Sequence, residues 1–287
     1  MSAIDRLRHH IGNTNHLSLV SAHDTSMSTS NPEAAVSLGY PPFDTALGGG
    51  LKPAVLHEVT AARPLDIGAA TGFCTALVHR VIGEQNRLSA PLVWIQQRYG
   101  MQEGGRLYGT GLQQLDIAPD SLLTVRVSRP VDALWAMEEA LSSGMPLVIG
   151  EMAGEEQASL TATRRLTLAA EAGGGLGLLL FHKPRKVASA ALTRWQIRAA
   201  SGLPDQYGGL GLPCFEVSLI KNRHGSCGRW LVHWNHHEHS FISPEQRSAS
   251  ISGQTLSRGF LPVPRDGQDR KANRAGADSA RLHRIAS

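Results

Sequence analysis

Gly68-Ala69-Ala70-Thr71-Gly72 opens a helical pattern shortly after an apolar run at Ala54–Val59, and the stretch between them carries Arg63, Pro64 and Asp66. Strand, polar loop and helix in that order are the frame of a phosphate-binding loop. Such a loop reads G-x-x-x-x-G-K-[ST]: backbone N–H groups surround the phosphates, the lysine neutralises them and the hydroxyl holds Mg²⁺. Here the glycines and Thr71 are present and the lysine is not. Lys52 and Lys183 precede proline, Lys186 precedes valine, Lys221 precedes asparagine and Lys271 precedes alanine, so no lysine of the chain stands before a hydroxyl residue. Arg63, Gly68, Thr71 and Gly72 therefore outline a degenerate nucleotide site. Backbone N–H groups at the helix N-terminus could still bind a nucleotide weakly.

Three other clusters could do chemistry. Lys183, Arg185 and Lys186 in "HKPRKVASAA" form either a patch for backbone phosphates or a solvated basic turn. Lys221 and Arg223 in "KNR" read on their own as two solvated charges on an edge strand. His233, His236, His237, Glu238 and His239 in "HWNHHEHS" are residue types that bind Zn²⁺ or Ni²⁺, but they lack a helical or CxxC frame. A solvated strand end is the expected role, and no metal site is assigned.

These residues need a scaffold, and the chain alternates strand and helix patterns to supply one. Apolar runs at Ala54–Val59, Leu92–Gln96, Leu122–Val127, Leu147–Glu151 and Leu176–Phe181 suit strands; helical patterns cover Thr71–Ile82, Glu103–Leu115, Pro130–Leu141 and Ala158–Ala172. Alternation of this kind implies right-handed crossovers and a mostly parallel central sheet flanked by helices. After Phe181, "LTRWQIRAA", "CFEVSLIKNR" and "GRWLVHW" follow without helices between them, which predicts an antiparallel C-terminal edge. Trp94 on a strand and Trp135 on a helix face are both expected to be buried.

Of 287 residues, 41% are hydrophobic and 18% charged, the composition of an ordinary globular protein. No uninterrupted apolar run reaches the roughly 18 residues that span a bilayer, and the first residues lack a signal-peptide core. Three cysteines without a CxxC suggest reduced thiols and a cytoplasmic protein. Residues 1–38 are polar, with one short helical pattern at Ile4–Ile11, and are expected to be weakly ordered. Residues 39–243 form the domain, and 244–287 read as a disordered Arg-rich tail. The eight basic and four acidic residues from Pro244 onward account for the whole chain's formal charge of +4. That tail is either a solvated terminus or an arm tethering a partner or DNA.

The order of elements, with "FDTALGGGLKPAVLHEV" before the first helix and "FEVSLIKNRHGSCGRWLVHW" late in the chain, resembles the RecA core. The phrases "GRLYGTGL", "RPVDALWAMEEAL", "TATRRLTLAAEAGGGLGLLL" and "TRWQIRAA" are most similar to the bacterial ImuA family, RecA-like accessory proteins of the inducible mutagenesis cassette. The resemblance covers roughly residues 38–234. It implies a RecA-like α/β fold in which Glu151, ending its strand, stands where a Mg²⁺-binding carboxylate is expected, or is simply a polar strand end. The glutamate that orients water in RecA-like ATPases is replaced by Gln96, Gln97 and Arg98. Without that acid and the lysine, most of phosphoryl-transfer catalysis is gone, so no enzyme activity and no required cofactor are expected, with ATP binding left open. Lys221 and Arg223 match lysines that reach a neighbouring subunit in RecA filaments. The two DNA-gripping loops correspond to "AGEEQASLTA", acidic through Glu155 and Glu156, and to the Lys183–Lys186 turn.

By the same resemblance, the function is that of a non-catalytic adaptor in SOS-linked, error-prone translesion synthesis. Its partners would be an ImuB-like relative of Y-family polymerases and an alternative DnaE-type polymerase, with DNA reached through the basic loop or tail and no membrane. The rival readings are a RecA-like DNA-dependent ATPase and a cell-division inhibitor of the SulA type.

Overall fold

The computed structural model describes residues 35–84, 90–115, 117–154, 158–202, 204 and 209–245. The Ile4–Ile11 pattern, Glu155, Glu156 and the tail from residue 246 lie outside the described residues. Nine strands make one sheet in the order β3-β2-β4-β5-β1-β6-β7-β8-β9. They are β1 Leu56–Ala61, β2 Leu92–Gln97, β3 Leu122–Val127, β4 Leu147–Met152, β5 Leu176–Phe181, β6 Thr193–Ala199, β7 Cys214–Asn222, β8 Gly228–Asn235 and β9 Ser240–Ile242. The helices are α1 Pro41–Leu47, α2 Ile67–Glu84, α3 Arg98–Gly104, α4 Gly109–Gln114, α5 Pro130–Ser142 and α6 Leu160–Gly173.

The first six strands are parallel, and β7, β8 and β9 extend them antiparallel, as the pattern predicts. The strand β6 has two roles: it runs parallel to β1 on one side and antiparallel to β7 on the other. Its link from β5 is therefore a crossover made by residues 182–192, without a helix. Central strands β1, β2, β4 and β5 are buried along their whole length, which explains the apolar runs of β2, β4 and β5, while β1 carries His57, Glu58 and Thr60 into the interior. One sheet face packs α1 and α2 around Phe43, Phe73, Trp94 and Trp195. The other packs α5 and α6 through Ala136, Met137, Leu141 and Leu166. Val36 and Leu38 are buried in the first of these cores, so it reaches into the segment before residue 39.

Several boundaries differ from expectation for local reasons. The strand β1 starts two residues late because Ala54 adopts a left-handed φ of 56°, which turns the chain first. The predicted helix 103–115 is two short helices, broken where Gly105 takes a φ of 86°. The helix α1 was hidden beside three glycines; Gly48 closes it at φ 75°. By length and composition α2 could cross a bilayer, yet 56% of that stretch is buried within the fold, where it packs on β1, β5 and β6. Trp135 is only half-buried, because it lies on the flank of α5 rather than under it.

A buried histidine on β1 is satisfied by its own strand's approach and by β6. The His57 Nε2 donates to the Lys52 carbonyl at 2.8 Å, and Nδ1 accepts from the Thr193 hydroxyl at 2.7 Å, which defines a neutral imidazole. Burial lowers its pKa from 6.5 to about 4.

Two outcomes follow from this packing. Trp94→Ala is expected to cost about 3–5 kcal/mol in denaturant unfolding, and Trp135→Ala no more than about half of that. The unfolded chain protonates His57 below its ordinary pKa while the fold refuses the proton, so stability is retained above pH 6.5 and falls towards pH 4. Unfolding of the wild type should lose about 2 kcal/mol between pH 6.5 and 5, and His57→Gln should flatten that slope.

Candidate functional site

The short link from β1 to α2 decides what the degenerate site can do. After Ala61 the chain reaches Arg63, makes a 3-10 turn over Pro64–Asp66 and runs straight into α2 at Ile67. Gly68, Thr71 and Gly72 are therefore inside the first two turns of a helix, not in a glycine-rich loop, and neither glycine has a positive φ. This corrects the expected loop. In a helix, N–H groups beyond the first turn bond to carbonyls four residues back and cannot cradle phosphates. Arg63 is also engaged: its guanidinium donates to both oxygens of Asp66, at 2.8 and 2.9 Å. That pairing holds the Asp66 carboxyl below the usual carboxylate range. Asp66 is buried and also accepts from the Ala199 N–H at 3.2 Å, which ties the turn to the end of β6. A fixed carboxylate thus occupies the turn where an anion would be met.

Beneath α2 lies a cavity of about 260 Å³, lined by Gly68, Thr71, Gly72, Gln96, Arg106 and Glu151 among others. Four of the five expected site residues meet there, and Arg63 does not. Glu151 is buried at the end of β4, where it accepts from Gln96 Nε2 and His182 Nε2 at 2.8 Å and from Trp94 Nε1 at 3.3 Å. The His182 ring is admitted by α3, where a Cβ at Gly104 would come within 3.0 Å of its Cε1. Cys74 is buried nearby; burial and the Glu151 charge push its thiol well above the usual range, so it stays protonated and unreactive. Nothing in its local sequence marks His182, which directly follows β5 and opens the basic turn, as a partner of Glu151.

The basic turn divides. Lys183 and Lys186 are exposed, but Arg185 is 3% exposed. Its guanidinium sits 3.5 Å from Glu58, 4.8 Å over the Phe181 ring, and donates to the Ala158 carbonyl. Arg185 is thus removed from the candidate DNA contacts, because it neutralises a core carboxylate together with Arg194, whose Nε lies 2.6 Å from Glu58. Lys221 is half-buried and donates to the Ser189 and Ala191 carbonyls at 2.7 Å each; burial and then the Arg223 charge lower its pKa. Arg223 remains exposed. The histidines do not converge: His233 is buried on β8, His239 stacks on His79 at 4.0 Å, and no metal-binding group forms among the described residues.

Protein ImuA of Caulobacter vibrioides, in strains NA1000 and ATCC 19089, is 36% identical to this chain over 219 residues, spanning 71% of the chain and 85% of that protein. The chain belongs to the ImuA family. No protein-family model matches it. The family resemblance read from the helix and strand phrases is borne out, and the helices that carry "RPVDALWAMEEAL" and "TATRRLTLAAEAG" are α5 and α6.

Arg185→Ala should destabilise this ImuA-family fold by about 3–5 kcal/mol, since it removes one of two cations from a buried carboxylate. Replacing Lys183 and Lys186 together should move stability by less than about 0.5 kcal/mol. Chemical denaturation of the three proteins separates the buried arginine from the exposed lysines beside it.

Proposed function

We propose that the protein is a non-catalytic RecA-like adaptor in damage-induced, error-prone DNA repair. Family membership supports the mutagenesis and DNA-damage setting. The finer reading is that it acts in translesion synthesis under the SOS response, in the cytoplasm, with an ImuB-like protein and an alternative DnaE-type polymerase. One observation carries the non-catalytic part. The turn that would hold phosphates is helical, its arginine is consumed by Asp66, and the nearby cavity offers a buried carboxylate already bonded to Gln96, His182 and Trp94. Positioning and charge stabilisation of a transferring phosphoryl group both need free N–H donors and a fixed cation at that place. No cofactor is required for the role of a binding surface.

Purified protein should therefore show no ATP hydrolysis above that of Glu151→Gln, with or without single-stranded DNA. It should bind an ImuB-like partner in a titration, and truncation after residue 243 should weaken that binding while circular dichroism stays unchanged. Turnover well above the variant, from a folded sample, would sink the non-catalytic reading.

A further inference from the structure

The outer flank of α6 presents an apolar surface that neither the core nor the degenerate site uses. Thr163, Leu166, Ala169 and Ala170 turn inward. Leu160, Arg164 and Leu168 follow at four-residue intervals on the outside, and the two leucines remain 51% and 53% exposed. Helical rise places those leucines about 12 Å apart along one ridge. The ridge does not stand alone. Residues 182–192 pass beside it, fixed where the Ala190 N–H donates to Thr163 Oγ1 at 2.9 Å. Arg223 comes in from the end of β7, 3.4 Å from the Ser189 carbonyl. Together they enclose a groove of about 530 Å³, lined by Leu160, Arg164, Leu168, Glu171, Ala190 and Arg223 among others.

Scattered exposed leucines need no explanation, but two in one groove between two arginines do. The lining carries one carboxylate, Glu171, against Arg164 and Arg223. Arg164 has no ion-pair partner among the described residues, whereas its neighbour Arg165 is spent on Glu138 at 2.6 Å. The chain's own tail is a poor occupant, since its excess charge has the same sign as the groove. Nucleic acid is also disfavoured, because the apolar lining is aliphatic and offers no ring on which a base could stack.

We infer that this groove docks an acidic, aliphatic segment of a partner protein. Its leucine-like anchors would pack against Leu160, Leu168 and Ala190, and its carboxylates would face Arg164 and Arg223. The inference rests on the adaptor reading and names the chemistry of the partner's contact. Lys221 has a supporting part only: by holding the Ser189 and Ala191 carbonyls it fixes the wall against which the segment lies.

The test uses the full chain and anisotropy of a labelled amphipathic peptide of about 15 residues, with leucines on one face and glutamates on the other. A copy with lysine for glutamate and a single-stranded oligonucleotide serve as competing probes. The acidic peptide should bind about tenfold more tightly than the lysine copy, and Arg164→Glu or Leu168→Asp should each weaken it about tenfold without changing the melting temperature. Equal binding of the two peptides, or no effect of either variant, overturns the inference. So does an oligonucleotide that depends on Arg164 while the peptide does not. A parallel titration with an ImuB-like protein separates the two readings. No binding to the wild type counts against the adaptor role, and the peptide arm then decides the groove alone. Tight binding that ignores both variants leaves the adaptor standing and removes the groove.

Discussion

A carboxylate buried in the middle of the sheet sets the terms for the rest of this fold. Glu58 lies on β1, a strand covered on both faces, and two guanidiniums come to it from the far side of the chain. An unpaired charge there would be prohibitive, so Arg185 and Arg194 must be in place before β1 can be central. Their placement has consequences. Arg194 fixes β6 beside β1, and its remaining donors reach the carbonyls of Arg185 and Val187 at 3.1 and 2.8 Å. The crossover from β5 to β6 lacks a helix to hold it down, and this charge cluster serves in its stead. From that crossover come His182, which fixes Glu151, and the carbonyls that receive Lys221.

The degenerate site and the sheet edge are therefore parts of one arrangement. Asp66 ties the turn before α2 to the end of β6, while Glu58 ties the middle of β1 to the beginning of β6. A turn clamped at both ends has little freedom to open around a ligand. In the phosphate-binding version of this frame, the loop's donors are left for the nucleotide. Here Arg63 and Asp66 bond to each other and Asp66 accepts from the Ala199 N–H, so these groups serve the join between the turn and β6.

The strands β3 and β5 could be read to the residue because each is an apolar run bounded by turn residues, and the change of pattern after Phe181 announced the antiparallel edge. The helix α1 could not, since seven residues ahead of three glycines look like part of the turn. Glu58 and His57 were visible as polar residues within a strand that should be buried. Their partners, Arg194 and Thr193, lie more than a hundred residues on, and nothing local marks them. Arg185 sits between two lysines in the sequence, and only the backbone direction separates the inward cation from the outward ones. Four members of the degenerate site did come together, but their meaning changed: the spacing of Gly68, Thr71 and Gly72 fits a loop and a helix equally well, and the helix won because Pro64 starts it early.

The early start of α2 also limits what a substitution at this turn could achieve. Inserting a lysine at one position would supply charge but not donors, since the surrounding N–H groups are already bonded along the helix. Recovering a cradle would mean lengthening the link after Ala61, unwinding at least a turn and freeing Asp66 from Ala199, all before any benefit from phosphate was felt. Each of those steps loosens the join between β1 and β6. A phosphate cradle and the join between β1 and β6 would thus draw on the same residues, and either could be strengthened only at the other's expense.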